Sequence, residues 1–448
     1  MKKTNFVCQQ CGASYAKWMG QCANCQTWNS LIEQIQEETS KKSIVEKGKL
    51  SGKKLPFIKL GSVIHNDEKI RLKTGLTDLD MVLGGGILLG SVSLLAGQPG
   101  IGKSTLLMQV CAEVAKQQAV LYVSGEESAG QVKLRAERLG TEAEKLNFAT
   151  STSGNDIAKT IATGEFKLVI VDSIQTLTLD EISSAPGTVS QVTNCGNLII
   201  RVAKATNTAV VIVGHVTKEG TLAGPKILEH LVDVVLNFEG DRYGGFKTVR
   251  AIKNRFGSTN EVAIFEMYGD GLRVVENPSA SLLAERANTD GSIVLATMEG
   301  NRPILVEIQA LATPTNFGYP KRTTSGFDLN RLNLLIAVIE RRTKLKLNNK
   351  DIFINVVGGL KINDSAGDLA ICLAIASAVA KRKLDDKYVV FGEVGLGGEI
   401  RSVSRHNQRI TEAKKLGFTH AIAAPATIRD KFVIPVRDLR ETLIKYVR

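Results

Sequence analysis

No apolar run in this chain of 448 residues approaches the roughly 20 needed to span a bilayer, so a membrane-spanning protein is not expected. The opening residues, Met1-Lys2-Lys3-Thr4-Asn5-Phe6-Val7-Cys8, hold two lysines but no long apolar stretch and no small-residue cleavage site. That pattern argues against a secretory leader and for a cytoplasmic location. Cysteine is scarce: four of the seven lie before residue 26, and Cys111, Cys195 and Cys372 are scattered among apolar neighbours, which excludes a disulfide framework. Acidic residues are also in deficit, 45 against 57 lysines and arginines, and the net charge of +12 favours a polyanionic partner such as nucleic acid. Hydrophobic residues at 43% and charged residues at 23% give a globular balance, in a chain long enough for two or three domains at roughly 150 residues each.

The N-terminal cysteines read Cys8-Gln9-Gln10-Cys11, ten residues, then Cys22-Ala23-Asn24-Cys25. Each Cys-x-x-Cys knuckle points two thiolates at one point, and two knuckles supply the closed tetrahedral shell of a structural Zn²⁺. Gly12 and Gly20 suit the tight turns, and Trp18 and Trp28 are expected to cover a module too small to fold without its metal. A redox dithiol is the alternative, but it requires a strand-to-helix context that is missing here. The polar stretch from Glu33 to Lys54 reads as a flexible linker that leaves the finger free to move.

The apolar run Val92-Ser93-Leu94-Leu95-Ala96 predicts a strand, and Thr105 to Ala112 has helical spacing. Between them, Gly97-Gln98-Pro99-Gly100-Ile101-Gly102-Lys103-Ser104 matches the phosphate-binding loop of ATPases. Its glycines let backbone N–H groups crowd around phosphates, Lys103 reaches the terminal phosphates of ATP, and Ser104 offers a hydroxyl to Mg²⁺, with Thr105 next to it. Two later strands end in acids, Ala119 to Gly125 in Glu126 and Glu127, and Lys167 to Val171 in Asp172. In a parallel sheet these ends open onto the crevice of the phosphate loop, where Asp172 can hold Mg²⁺ through water and Glu126 can polarise the attacking water. Glu127 could instead serve only the dipole of the next helix. A third strand, Ala209 to Gly214, delivers His215, either a sensor of the terminal phosphate or a structural histidine.

The run Thr74-Gly75-Leu76-Thr77-Asp78-Leu79-Asp80-Met81-Val82-Leu83-Gly84-Gly85-Gly86-Ile87, the phosphate loop, Ser124-Gly125-Glu126-Glu127-Ser128 and Lys253-Asn254-Arg255-Phe256-Gly257 together resemble the RadA (Sms) family of bacterial DNA repair proteins. The resemblance covers nearly the whole chain. It implies a RecA-type ATPase that assembles as a hexameric ring on single-stranded DNA and drives branch migration of recombination intermediates, with RecA as a partner. The Lys253 to Gly257 segment is similar to the finger of DnaB-type replicative helicases, whose basic side chains reach the neighbouring subunit's nucleotide. A lysine and an arginine two residues apart on a strand share a face, so Lys253 and Arg255 could clamp a transferring phosphoryl group. The loops Ser183 to Gln191 and Thr217 to Lys226 fall where RecA-type proteins contact DNA. Neither holds an aromatic, so backbone and phosphate contacts with weak sequence preference are expected, unless both are plain loops.

Beyond Pro278, Gly291 to Leu311 reads as two strands around a Gly300-Asn301 turn, Leu332 to Arg341 as a helix, Ile352 to Val357 as a strand and Asp368 to Ala380 as an alanine-rich helix. This stretch, with Gly392-Glu393-Val394-Gly395-Leu396-Gly397-Gly398-Glu399-Ile400, resembles the Ser-Lys proteolytic domain of Lon. The resemblance puts Ala366 at the nucleophile position and Asn407 at the lysine position. Ser365 is one residue early, turned away by about 100° at a helix start. Peptidase chemistry is therefore not expected, and Lys321, Arg322, Arg331, Arg341, Arg342, Lys344, Lys346 and Lys350 suit either DNA phosphates or a solvated basic face.

The expected fold class is α/β: a RecA-like ATPase core with a small N-terminal zinc finger and a C-terminal Lon-protease-like domain. The expected divisions are a finger at 1–32, a linker at 33–56, the ATPase domain at 57–278 and the inactive Lon-like domain at 279–448. The competing readings are an ATP-dependent Lon-like serine peptidase and a nucleotide-switched signalling or scaffold ATPase.

Overall fold

The structure is a computed structural model that describes residues 4–8, 13–24, 26–35, 59, 71–141, 143–215, 227–240, 245–315, 319–425 and 430–447. The expected linker beyond Ile35 lies outside them, apart from residues 33–35. The chain divides into two compact units. One comprises Met1–Glu239, Val249–Thr259 and Tyr268–Leu272; the other comprises Gly240–Thr248, Asn260–Met267 and Arg273–Arg448.

The first unit begins with an antiparallel ribbon of β1 (Thr4–Cys8), β2 (Ser14–Tyr15) and β3 (Leu31–Ile35), in the order β2-β1-β3. Its interior is small: Cys8, Cys22 and Leu31, flanked by Phe6, Ala13, Tyr15 and Met19. Trp18 and Trp28 do not cover it as expected, since they are 57% and 69% exposed. Among the described residues, Leu31, Phe6, Tyr15 and Met19 rather than the indoles pack on the two thiols. Nor does the ribbon's last strand stand free of the core. The main-chain oxygen of Glu33 accepts hydrogen bonds from Ser190 Oγ at 3.0 Å and Asn194 Nδ2 at 2.7 Å, which fixes β3 to a helix of the unit's main core.

That core is a parallel sheet of β4 (Val92–Gly97), β5 (Val120–Ser124), β6 (Leu146–Thr150), β7 (Leu168–Asp172), β8 (Ala209–His215) and β9 (Val234–Gly240), in the order β9-β4-β8-β7-β5-β6. Every residue of β4, β5 and β7 is buried, the unbroken apolar pattern of strands covered on both faces. Parallel neighbours need crossovers, which α1 (Lys103–Ala115), α2 (Ala129–Leu139), α3 (Gly154–Ala162) and α4 (Val189–Thr206) supply. The strand order reverses around β4, and its carboxyl end opens the crevice that holds the phosphate loop. Next to β9 lies β10 (Lys247–Asn254).

The second unit is built on a seven-stranded mixed sheet. Its strands are β11 (Ser292–Glu299), β12 (Arg302–Pro314), β13 (Arg322–Ser325), β14 (Lys350–Val356), β15 (Tyr388–Phe391), β16 (His420–Ala423) and β17 (Val433–Pro435), ordered β13-β14-β12-β11-β15-β16-β17. The hairpin β11–β12 turns at Gly300-Asn301, where Gly300 takes φ +59°. The helices are α5 (Leu329–Thr343), α6 (Gly367–Ala380), α7 (His406–Lys415) and α8 (Leu439–Val447). Residues 367–378 of α6 are all buried, because a helix with apolar residues on every side, its Asp368 and Ser377 both partnered, sits at the centre of a core. Among the described residues no helix is long and apolar enough to cross a membrane.

Candidate nucleotide site and its surroundings

β4 ends at Gly97 and α1 begins at Lys103, so the loop is short and tightly turned. Gly100 and Gly102 take φ of +77° and +117°, values that disfavour any side chain. Nothing would lie within 4 Å of a Cβ at Gly100, so the loop has open space above it, while Ile101 is buried beneath. Lys103 Nζ points back into this cradle and donates to the carbonyls of Gly97 at 2.8 Å and Gln98 at 3.0 Å. Pro99 carries the loop from Gln98 to Gly100. Burial lowers the Lys103 ammonium from 10.5 to about 8, and the Asp172 and Glu126 carboxylates offset part of that cost.

At the end of β7, Asp172 Oδ2 accepts from Ser104 Oγ at 2.8 Å and from Tyr122 Oη at 2.6 Å. A hydroxyl and a carboxylate in that contact are the donor pair that a Mg²⁺ would take, directly and through water, and the ammonium could exchange loop carbonyls for phosphate oxygens. The residues fit ATP and Mg²⁺. Thr105 is buried behind Ser104 in the first turn of α1.

Glu126 and Glu127 separate cleanly. Glu126 Oε1 accepts from Ser173 Oγ at 2.6 Å and stands 3.4 Å from His215 Nε2, with 44% of its side chain exposed to the crevice. His215 Nδ1 is 3.3 Å from Lys103 Nζ, so the imidazole bridges the phosphate-loop lysine and the carboxylate. Glu127 instead makes a two-pronged pair with Arg135 of α2, at 2.5 and 2.6 Å, which raises the guanidinium pKa. Tyr122, Ser173 and Arg135 went unnoticed in the sequence. The parallel register pairing Ser124 with Asp172 brings these two strand ends side by side, and only that pairing reveals Tyr122 and Ser173.

Lys253 and Arg255 are not on one strand face, because β10 ends at Asn254 and Arg255 lies in the bend beyond it. Lys253 Nζ donates to the carbonyls of Glu229 at 2.8 Å, His230 at 3.1 Å and Val232 at 2.8 Å, capping the short helix Ile227–Leu231. Arg255 has 55% of its side chain exposed and its Nη1 lies 3.8 Å from the buried Asp233. Asp233 in turn accepts from the backbone N–H of Val92, at the opposite end of β4 from the phosphate loop. Five strand steps of about 3.3 Å put Arg255's anchor about 17 Å from its own chain's Gly97.

Only part of the expected DNA-contacting surface is loop. Val189 to Gln191 belong to α4, and the buried Gln191 amide is bonded to the backbone of Leu179, Ile182 and Ser184, which ties the loop down. Thr217 to Lys226 lie outside the described residues. So do Cys11 and Cys25, whereas Cys8 and Cys22 are buried in one cluster, with Cys8 Sγ 3.3 Å from Ser30 Oγ and Cys22 Sγ 3.3 Å from Tyr15 Oη. Two thiols converging in a core this small fit half of a Zn²⁺ shell.

In the second unit Ala366 is fully buried, Ser365 is exposed, and Asn407 is exposed on the first turn of α7. At least three of the expected basic residues are engaged, Arg342 among them, whose Nε donates to the carbonyl of Leu396 at 3.3 Å. Arg331 pairs with the buried Asp368, its Nε 3.0 Å from Oδ1, and Arg322 donates to backbone carbonyls, including Leu347 at 3.0 Å.

A phosphate loop at a parallel strand's carboxyl end, with acids delivered to the same crevice by two other strands, is a division of labour that defines a RecA-like P-loop ATPase. Residues 63–221 match the AAA domain family, 6–33 the rubredoxin metal binding domain and 332–427 the subunit ChlI of Mg-chelatase. The chain is 47% identical to the DNA repair protein RadA of Halalkalibacterium halodurans over 99% of both chains, and 47% identical to that of Bacillus subtilis over 95% of this chain and 93% of the other. A solved structure of the RadB recombinase aligns with 46% of this chain and 100% of its own, at 21% identity and a TM-score of 0.38. The chain belongs to the RadA family.

Proposed function

We propose that the chain is a DNA-dependent ATPase that works as a homo-oligomeric ring on single-stranded DNA in the cytoplasm and promotes branch migration during recombinational repair. The observation that carries the reading is the position of Arg255. It is exposed and anchored through Asp233 at the far end of β4 from its own phosphate loop, so it would serve another copy's nucleotide. In this reading Glu126 orients water for in-line attack on the terminal phosphate, and Ser173 and His215 hold Glu126 in place. Lys103 neutralises the terminal phosphates, while the backbone from Gly97 to Thr105 cradles them. Bound Mg²⁺, held by Ser104 and Asp172, supplies further charge neutralisation. His215, touching both Lys103 and Glu126, would pass the state of the nucleotide along β8 to the DNA-contacting segment after it. Arg255 of the adjoining copy stabilises the developing charge. Lys253 supports it by holding the end of helix Ile227–Leu231.

The Zn²⁺ of the ribbon is structural in this reading. RecA is the expected protein partner, and the divisions at 1–32, 57–278 and 279–448 are the working domains. The buried Ala366 and exposed Asn407, at the two positions where the resemblance to Lon expects serine and lysine, support reading the second unit as a platform for assembly or DNA.

The test is an ATPase titration with single-stranded DNA, run alongside sizing with and without nucleotide. Strong stimulation together with a nucleotide-stabilised ring is expected. Turnover indifferent to DNA would favour the switched scaffold instead, and casein cleavage abolished by Ser365→Ala would favour the peptidase.

A further inference from the structure

We propose that the N-terminal ribbon carries a base-stacking platform for single-stranded nucleic acid, built from Trp18 and Trp28 on either side of Gly20. This rests on the reading of the motor as acting on single-stranded DNA, and adds a site outside the motor's own loops.

Trp18 and Trp28 are the only tryptophans in the chain, and they are 57% and 69% exposed. They converge on one spot. A Cβ added at Gly20 would lie 3.6 Å from Trp28 Cζ3 and 3.8 Å from Trp18 Cη2, so the glycine is the gap where the two rings meet. The backbone fixes their spacing: Asn29 N donates to Gly20 O at 2.7 Å, Cys22 N donates to Thr27 O at 3.0 Å, and Gln21 pairs with Trp28 in an antiparallel bridge. Among the described residues the indoles are not part of the ribbon's core, which is made by Cys8, Cys22 and Leu31 with Phe6, Ala13, Tyr15 and Met19 packed against it. Two large, mostly exposed rings on one turn form a preorganised surface with no partner among the described residues.

The amino-acid composition of the segment points to the occupant. The first 32 residues contain Lys2, Lys3 and Lys17 and no aspartate or glutamate, which suits a polyanion. The exposed neighbours Gln21, Asn24, Gln26 and Asn29 are amides, able to meet base edges but poor at sealing an apolar protein interface. Among the described residues of the ribbon, the two tryptophans are the only exposed large hydrophobic side chains, too small a patch to seat an amphipathic helix. Bases offer a π-face whatever their identity, so stacking needs no sequence. The ribbon is also well placed. Glu33 is bonded to Ser190 and Asn194 in the first two turns of α4, and α4 begins where the loop Ser183 to Thr188 ends. That loop lacks any aromatic, so the ribbon supplies the stacking that the motor's described loop cannot.

Because no other tryptophan exists, intrinsic fluorescence of the full-length zinc-loaded protein reads this site alone. Titration with a thymidine homo-oligonucleotide should quench the emission saturably, at the same concentrations that stimulate ATP hydrolysis. Trp28→Ala and Trp18→Ala should each weaken DNA binding about tenfold, equivalent to about 1.4 kcal/mol, while Trp28→Phe and Trp18→Phe keep most of the affinity. Zinc content matched to the wild type shows that the variants fold. Heparin, a polyanion without bases, should leave the emission unquenched. The proposal is overturned if DNA saturates the ATPase while the emission stays constant, or if zinc-loaded alanine variants bind DNA normally; the motor reading then survives. Quenching by heparin equal to that by DNA overturns it too, since charge alone would account for the response. If DNA changes neither fluorescence nor turnover, both readings fall together.

Discussion

Ser173 donates its hydroxyl to Glu126 at 2.6 Å, while the next residue, Glu127, is turned away into a two-pronged pair with Arg135. Two adjacent carboxylates thus have different work, one facing the nucleotide crevice and the other joining β5 to α2. Glu126→Gln should lower turnover by about a hundredfold or more with nucleotide binding retained, because a positioned general base contributes on that scale. Glu127→Gln should leave turnover within about threefold and cost about 1 kcal/mol or less, since its pair with Arg135 is part-exposed and screened. Single-turnover hydrolysis and thermal melts separate the two. Equal losses of turnover would mean that Glu127 shares the chemistry.

The Lys103 ammonium gives the nucleotide site a pH dependence. Its pKa is lowered to about 8 by burial, and phosphates would hold its proton on. Nucleotide affinity should therefore be flat below that value and weaken as pH rises through it, by roughly twentyfold between about pH 7.5 and about pH 9.5. Without nucleotide the sign is opposite for stability. The unfolded chain keeps the lysine's proton up to its ordinary value of 10.5, whereas the folded chain gives it up near 8, so the protein gains stability across that window as pH rises. Lys103→Met should remove this gain. Urea unfolding of both proteins at several pH values is the measurement, and identical slopes would sink the assignment.

The strands, the phosphate loop and the acids at the strand ends were legible because local pattern dictates them. Unbroken apolar runs such as Leu168 to Val171 can only be buried strands, and glycines at Gly100 and Gly102 meet a backbone need. The all-apolar α6 was legible for the same reason. What failed was everything set by contacts distant in sequence. Lys253 reads as a free basic side chain until the carbonyls of residues 229, 230 and 232 are brought to it, and Trp18 and Trp28 read as core until Leu31, Phe6, Tyr15 and Met19 take that place on the thiols. Glu127 acquires its role from Arg135, one face along the following helix.

Lys253 and Arg255 should part company under mutation. Removing the Lys253 ammonium leaves three carbonyls at a helix end without their donor, so Lys253→Ala should destabilise the first unit by about 1 to 3 kcal/mol and impair activity through structure. Arg255→Ala takes away a half-exposed side chain in a loose contact with Asp233, so stability should change by less than about 0.5 kcal/mol. Nucleotide binding should persist while DNA-stimulated turnover collapses. Mixing Arg255→Ala with Glu126→Gln protein then provides the decisive measurement: mixed rings pair an intact Arg255 with an intact Glu126 at some interfaces, and recovered turnover is expected. If Arg255→Ala alone turned over normally, the role across subunits would be lost.

In the second unit the charge most exposed to mutation is Arg409, which is fully buried. Its Nη2 lies 2.6 Å from Asp364 Oδ2, an ion contact without hydrogen-bond alignment, and its Nη1 donates to the Ala296 carbonyl at 2.6 Å. Burial pushes the guanidinium pKa down, and Asp364 opposes that shift. Asp364→Ala would strand a positive charge in the core and should cost about 3 to 5 kcal/mol, whereas adding Arg409→Met removes the charge in a similar volume and should restore most of the loss. Ser365→Ala, on the exposed neighbour, should shift stability by less than about 0.5 kcal/mol. Urea unfolding of the three proteins is the measurement. If Asp364→Ala unfolded like the wild type, the Arg409 charge would have to be held by other groups.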